Sequence, residues 1–344
     1  MRVFPLSPIC CSSKHLKAQQ VIDPIKRKDE LQNNDDAIRT VAGAEVNLKA
    51  DHSMSWAHLC NIRYLASGAF CNVFKAEYKG KLVAVKTVKN DELVENVEDT
   101  TKALDREQKI LEKIDHLHCV KLYGSGTHNG TKFLVLEFLP GGTFNDVIDD
   151  HSKYWSLFNY KTGKVKRFHQ RLQMCIQLAK ALKYIHHDHQ PGYTLIHRDL
   201  KPQNICISQC GDVKLMDFGI SKLLNASSLD GEAFQMTSQT GTPRYMAPEV
   251  AMEQPYNHKA DTYSFAILCW HLLTLRLPYE GVGLSTFIDT VVIAKTQIPS
   301  KWPSALNVLI SACWHWDPQE RPDFDEIVHA LEGIWETALS KTGY

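Results

Sequence analysis

Ten cysteines are scattered through the 344 residues, and no two of them form a C-x-x-C pair. Disulfide-stapled secreted domains are short and cysteine-dense, and structural zinc sites cluster their ligands, so both classes are disfavoured. Charge of one sign is also lacking. Thirty-nine basic residues balance thirty-nine acidic ones, which gives no global pull toward nucleic acid or an anionic membrane. Long apolar runs are missing. The most apolar stretch, Phe265 to Leu273, contains His271 and falls short of the roughly 20 residues a bilayer requires. The N-terminal run Met1 to Pro8 is too short and too proline-broken for a signal peptide, and Cys10-Cys11 lack a polybasic neighbour. No internal repeat is visible. A protein with reduced thiols, located in the cytoplasm and without a membrane span, is the expectation. His186-His187-Asp188-His189 closes a helical pattern and reads as a solvated, cationic helix end rather than a metal site.

What is present sorts into three parts. Residues 1–52 are polar and aperiodic, and read as a disordered extension. From about Ala57 to residue 138, period-two alternation marks strands at Val73–Tyr78, Leu82–Val88 and Lys132–Phe138, with one helix at about Thr101–Ile114. After Gly141-Gly142 helical spacing takes over: Leu172, Ile176, Ala179, Leu182 and Ile185, then Lys259–Thr274, Ser304–Cys313 and Asp323–Ser340. The run 152–167 reads as a surface insertion between helices. The expected architecture is α+β and bilobal: a small β-rich lobe with one key helix over residues 57–138, a larger helical lobe over 142–338, and a hinge at Glu137-Phe138-Leu139.

Three charged residues sit where pattern alone would place apolar ones. Lys86 shares a strand face with Leu82, Ala84 and Val88. An edge-strand lysine that blunts aggregation is the plainer reading of such a residue. Glu107 falls on the helical stripe of Leu104, Leu111 and Ile114, and its own helix offers no basic partner. A carboxylate turned inward needs a cation, and Lys86 needs an anion, so each resolves the other. Asp217 shares a face with Val213 and Leu215 and then meets Phe218-Gly219, a sharp change of direction that a plain Asx-turn would also produce. Upstream lies His197-Arg198-Asp199-Leu200-Lys201-Pro202-Gln203-Asn204. Asp199 can accept a proton from a hydroxyl, Lys201 can neutralise phosphoryl charge, and Asn204 and Asp217 offer hard oxygen ligands for Mg²⁺.

These runs, in this order, resemble the eukaryotic protein-kinase catalytic core from about Ala57 to Ile334. The resemblance implies a bilobal kinase that binds ATP and Mg²⁺ and phosphorylates protein substrates. It implies Asp199 and Lys201 as catalytic residues and Asn204 and Asp217 as metal ligands. Nucleotide contacts would come from Ala66, Ser67, Gly68, Ala69, Phe70, Cys71, Val73, Ala84, Lys86, Glu107, Glu137 and Leu139. Of the three glycines in the family's G-x-G-x-x-G-x-V loop, Gly68 alone remains, with Ala66 and Cys71 at the other positions. Cys71 is a candidate redox or electrophile target if its thiolate is favoured. Gly241 to Glu249 resembles the substrate-binding loop, with Glu249 expected to pair with Arg321, and Asp261 is expected to tie the catalytic loop to a buried helix. Lys201-Pro202 and Thr242-Pro243 match serine/threonine kinases, and Asp261–Phe265 and Cys313–Pro322 look like the tyrosine-kinase-like group. Phosphate on Thr237, Ser238 or Thr240, added by an upstream kinase or in trans by a second copy, would pair with Arg198 and order the loop. The alternatives are a dual-specificity kinase, a pseudokinase or nucleotide-binding scaffold, and a small-molecule phosphotransferase. The last should lack the Gly241–Glu249 segment.

Overall fold

In the computed structural model, residues 53–68, 71–89, 97–149, 164–225, 243–280 and 298–342 are described. The alternating segments fold as β1 (Leu59–Ser67), β2 (Cys71–Tyr78), β3 (Lys81–Val88), β4 (Leu122–His128) and β5 (Thr131–Glu137). They form one antiparallel sheet in the order β1-β2-β3-β5-β4. Two hairpins set its register. Lys79-Gly80 (φ 49° and 75°) and Asn129-Gly130 (φ 50° and 76°) place both central residues in the left-handed region, as a two-residue turn that matches strand twist requires. Because β3 lies between β2 and β5, Lys86 is on a central strand, and the edge-strand reading is excluded.

Each face of the sheet packs on a different core. Val83, Val85, Phe133 and Val135 turn to one side, where Met54 and Leu59 join them and Trp56 stacks on His128 at 4.7 Å. Val88, Leu134 and Leu136 turn to the other side and meet α1 (Val97–Leu111) through Leu104 and Leu111. The helix begins four residues before the expected Thr101 and ends three before Ile114. Glu98 and Asp99 in its first turn complement the helix dipole. Its C-terminal turn tightens, with the Lys113 N–H donating to the Ile110 carbonyl.

The larger lobe contains α2 (Phe144–Asp149), α3 (Lys164–Lys183), α4 (Pro248–Ala251), α5 (Lys259–Thr274), α6 (Ser304–Cys313) and α7 (Phe324–Thr342). Two short antiparallel pairs accompany them, β6 (Tyr193–Ile196) with β9 (Lys222–Asn225) and β7 (Ile205–Ile207) with β8 (Val213–Leu215). α5 is buried on every face, so its apolar residues show no single stripe and it forms the centre of the lobe. Lys164 to Arg167, expected in a surface insertion, form the first turn of α3, and the remainder of that run lies outside the described residues, as do residues 1–52. The lobes are joined behind the hinge as well as through it. The Val120 N–H donates to the Leu215 carbonyl at 2.9 Å, and the Leu215 N–H donates to the His118 carbonyl at 2.8 Å.

The solvated helix end holds for the exposed His187 and Asp188, but not for His186. α3 runs into a π-turn at Tyr184–Asp188, and His186 within that turn faces into the lobe, where it is 1% exposed. Burial holds His186 below the ordinary histidine range despite the pull of Asp261, and burial lowers His271 to about 4. A histidine kept neutral in the fold lets the unfolded chain take up the extra proton. Stability is therefore full above a pH of about 6.5 and falls as pH drops toward about 4. For buried His271 the loss approaches about 3 kcal/mol at the low end. The melting temperature should fall between pH 7.5 and 4.5, and His271→Gln should flatten that slope. A slope unchanged by the substitution would rule His271 out as its source.

Candidate active site

The register of β2, β3 and β5 builds the roof of a cleft between the lobes. Lys86 faces Val73 across one side and Leu134 across the other, and Ala84 faces Leu136. Directly paired residues share a sheet face, so Val73, Ala84 and Leu136 form an apolar ceiling beside the Lys86 ammonium. Lys86 Nζ donates to Glu107 Oε2 at 2.7 Å and to Asp217 Oδ1 at 3.0 Å. Glu107 is 1% exposed, whereas the Asp217 side chain keeps 41% of its surface open to the cleft. Burial alone would discharge Lys86, but the two carboxylates outweigh it and hold the lysine well above its ordinary range. Burial also works against Asp217, yet Lys86 holds that carboxyl below its usual value. The group therefore carries a fixed cation with one accessible carboxylate.

Asp217 adopts a left-handed backbone (φ 65°), as does Arg198 (φ 72°). Strain of this kind persists only where surrounding bonds over-determine it. Here Asp261, 1% exposed on α5, accepts the His197 N–H at 2.8 Å and the Arg198 N–H at 2.9 Å, and His186 Nε2 donates to it at 2.9 Å. The expected anchoring role of Asp261 thus has a geometry, with His186 as its brace. His197 itself is buried, packs on Phe218 at 5.2 Å and hydrogen-bonds the Met216 carbonyl at 3.0 Å. The loop before Asn204 and the turn after Asp217 are consequently fixed to each other.

On this frame, Asp199 Oδ2 accepts from Lys201 Nζ at 2.6 Å and from Asn204 Nδ2 at 2.9 Å. Asn204 Nδ2 also donates to the Asp199 carbonyl at 2.8 Å. Both acceptors demand the amide nitrogen, which leaves the Asn204 amide oxygen for another partner. Asp199 Oδ1 is likewise left for an incoming hydroxyl. Arg198 is occupied from two directions: Nε donates to the Ile220 carbonyl at 2.5 Å, and its side chain hydrogen-bonds Tyr256. Thr237, Ser238, Thr240 and Thr242 lie outside the described residues, as do Ala69 and Phe70.

At the front of the cleft, the Gly68 N–H donates to the Cys71 carbonyl at 2.8 Å, and Ser67 Oγ bonds Asn72 Oδ1 at 3.0 Å. Among the described residues, a Cβ on Gly68 would meet only the Cys71 carbonyl oxygen, at an ordinary 3.7 Å. The described surroundings therefore do not themselves require glycine there. Gly68→Ala should leave the melting temperature within about 1 °C while raising KM for a nucleotide several-fold, as steady-state kinetics and thermal melts would reveal. Ala66, next to last in β1, lies opposite Val73. The Cys71 expectation is corrected: burial pushes its thiol up to about 11 against the pull of Lys86, so the reactive thiolate is disfavoured. At the back, Glu137 ends β5, and the partly buried Leu139 packs against the large core. A Cβ on Gly141 would come within 2.8 Å of the Ile207 carbonyl, so the chain after the hinge needs glycine to lie on β7.

Several contacts were not anticipated from the sequence. Lys214 Nζ pairs with Glu137 Oε2 at 2.9 Å, tying β8 to the hinge. Arg106 Nη1 donates to the Gly219 carbonyl at 2.8 Å, tying α1 to the turn after Asp217. His186 did carry a signal, since it stands four residues after Leu182 and seven after Ala179, on the buried stripe of α3. Lys214 carried none, because a lysine alternating with Val213 and Leu215 is what a solvated strand face also shows.

Residues 59–331 match the family model described as protein tyrosine and serine/threonine kinase. This chain belongs to that protein kinase family. The family uses ATP and a divalent metal and acts on proteins. A probable serine/threonine-protein kinase of Dictyostelium discoideum is 34% identical over 289 residues, covering 83% of this chain and 29% of the relative. Serine/threonine-protein kinase STY46 of Arabidopsis thaliana is 32% identical over 292 residues, covering 84% of this chain and 45% of the relative. Dual specificity protein kinase shkD of Dictyostelium discoideum is 34% identical over 275 residues, covering 79% and 34%. The chain thus spans less than half the length of these kinases. Among the described residues, no helix is long and apolar enough to cross a membrane.

Proposed function

We propose that this chain is a serine/threonine protein kinase of the tyrosine-kinase-like group, transferring the γ-phosphoryl group of Mg-ATP to protein hydroxyls. The observation that carries this reading is the three-way contact of Lys86 with Glu107 and Asp217, at 2.7 and 3.0 Å, one loop away from Asp199. The donor set fits a hard cation: the Asn204 amide oxygen and the second Asp217 carboxylate oxygen are both available. When bound there, Mg²⁺ supplies charge neutralisation for the phosphates. Lys86 orients the phosphates, and the ceiling of Val73, Ala84 and Leu136 receives the base above the hinge at Glu137 and Leu139. Asp199 Oδ1 aligns the acceptor hydroxyl and takes its proton as the bond to phosphorus forms. Lys201, held against Asp199, meets the charge of the migrating group.

The serine/threonine preference rests on Lys201-Pro202 and Thr242-Pro243, and dual specificity is the second reading, favoured by the names of two relatives. A scaffold without turnover is opposed by the presence of Lys86, Glu107, Asp199, Asn204 and Asp217 together. Control by phosphate on Thr237, Ser238 or Thr240 through Arg198 belongs to this reading, with an upstream kinase or trans-autophosphorylation as its source. Incubating the purified chain with Mg-ATP and a degenerate peptide library should place phosphate on serine and threonine. Label on tyrosine alone would overturn the preference, and label on all three would favour the second reading.

A further inference from the structure

On the flank of α1 that does not face the cleft, Lys102, Arg106, Lys109 and Lys113 recur at spacings of four, three and four, so they form one stripe along the helix and its last turn. All four are exposed, and all four line a groove of about 490 Å³. Lys222 and Leu223 of β9 form its other wall, with Ile110 and Leu195 contributing apolar surface. Among the described residues Asp105 is the one carboxylate lining it, and that group is already held by Lys132. Lys102 leans toward Glu98 at 2.8 Å, and Arg106 is committed to the Gly219 carbonyl. Lys109 and Lys113 have no carboxylate within ion-pair distance among the described residues.

This convergence is costly in a chain whose thirty-nine cations match its thirty-nine anions. Like charges three and four apart on a helix repel, and glutamate at any of these positions would relieve the strain. An anion entering the groove offsets the repulsion. A small inorganic anion would satisfy the lysines but leave Ile110 and Leu223, the latter 37% exposed, against water. The stripe from Lys102 to Lys113 runs about 16 Å at helical rise, the span of about five extended residues. We propose that this groove is a docking site for an acidic, extended peptide segment of a protein partner, with a large apolar side chain set between its carboxylates.

The position has a consequence for the site, which rests on the kinase reading above. Arg106 holds the turn after Asp217, and Glu107 beside it holds Lys86, so an occupant bracing α1 would favour the paired state. Docking itself is independent of that reading and is tested by binding. A fluorescein-labelled peptide of sequence Asp-Glu-Leu-Asp-Glu-Leu, titrated with the full chain and followed by anisotropy, should bind saturably. Binding should weaken at least about tenfold in Lys109→Glu/Lys113→Glu. It should also be lost in about 1 M salt, where the screening length is about 3 Å. A control peptide with glycine for leucine should bind several-fold more weakly. Equal affinity for the charge-reversed variant would overturn the proposal. So would displacement of the peptide by pyrophosphate or an oligonucleotide at matched charge, since that describes a general anion field. Peptide phosphorylation measured on the same preparation separates the two readings: docking without transfer defeats the kinase reading alone, and transfer without docking defeats this one alone.

Discussion

Asp199→Asn should lower kcat for peptide phosphorylation by about 10²- to 10⁴-fold, with KM for ATP changed by less than about threefold. The size follows from what asparagine keeps and what it loses. Its amide oxygen can still accept from Lys201 or Asn204, which now reach Asp199 Oδ2 at 2.6 and 2.9 Å. The loop therefore stays folded, and thermal melts should match those of the wild type. What disappears is the anionic oxygen that aligns the hydroxyl and takes its proton. The nucleotide contacts through Lys86 and Asp217 are untouched, hence the small change in KM. A fall in KM affinity equal to the fall in kcat would mean that Asp199 serves binding, and the assignment of roles would be wrong.

Glu249→Ala should destabilise the helical lobe by about 3–5 kcal/mol, the largest stability effect expected of any single change here. Arg321 is 1% exposed, and its Nη1 and Nη2 meet Glu249 at 2.6 and 2.9 Å. It also donates to the carbonyls of His315, Lys259 and Trp316, and its guanidinium lies 5.1 Å from the Tyr263 ring. Removing the carboxylate leaves a guanidinium that cannot deprotonate inside the core. Water must enter or the lobe must open. Urea unfolding monitored by tryptophan fluorescence gives the number. A loss below about 1 kcal/mol would place the pair in the class of surface ion pairs, against its burial.

The catalytic half of the site was legible because its residues violate their own local patterns. Lys86 on an apolar strand face and Glu107 on an apolar helix stripe each demanded a partner, and the structure pairs them. Asp261 and the Glu249–Arg321 link were legible through resemblance rather than pattern, since nothing local distinguishes a buried arginine from a surface one. His186 was misread although it continues the stripe of Ala179 and Leu182, because the run His186-His187-Asp188-His189 has the composition of a solvated helix end. Lys214–Glu137 and Arg106–Gly219 were invisible for a different reason: each joins segments far apart in sequence through a side chain whose local setting is ordinary. Cys71 was misjudged in its chemistry. Its position in the glycine-rich loop was readable, but the burial that suppresses its thiolate depends on how closely β2 and β3 pack.

Phosphoryl transfer is assigned to the Lys86, Asp199, Asn204 and Asp217 constellation. The most direct measurement compares label incorporation from γ-³²P-ATP into a serine-containing peptide by the wild type and by Lys86→Met, each with and without Mg²⁺. Labelling by the wild type should require Mg²⁺, and labelling by the variant should fall at least about a hundredfold. Equal labelling by both proteins, or a wild type that binds nucleotide and transfers nothing, would contradict that assignment.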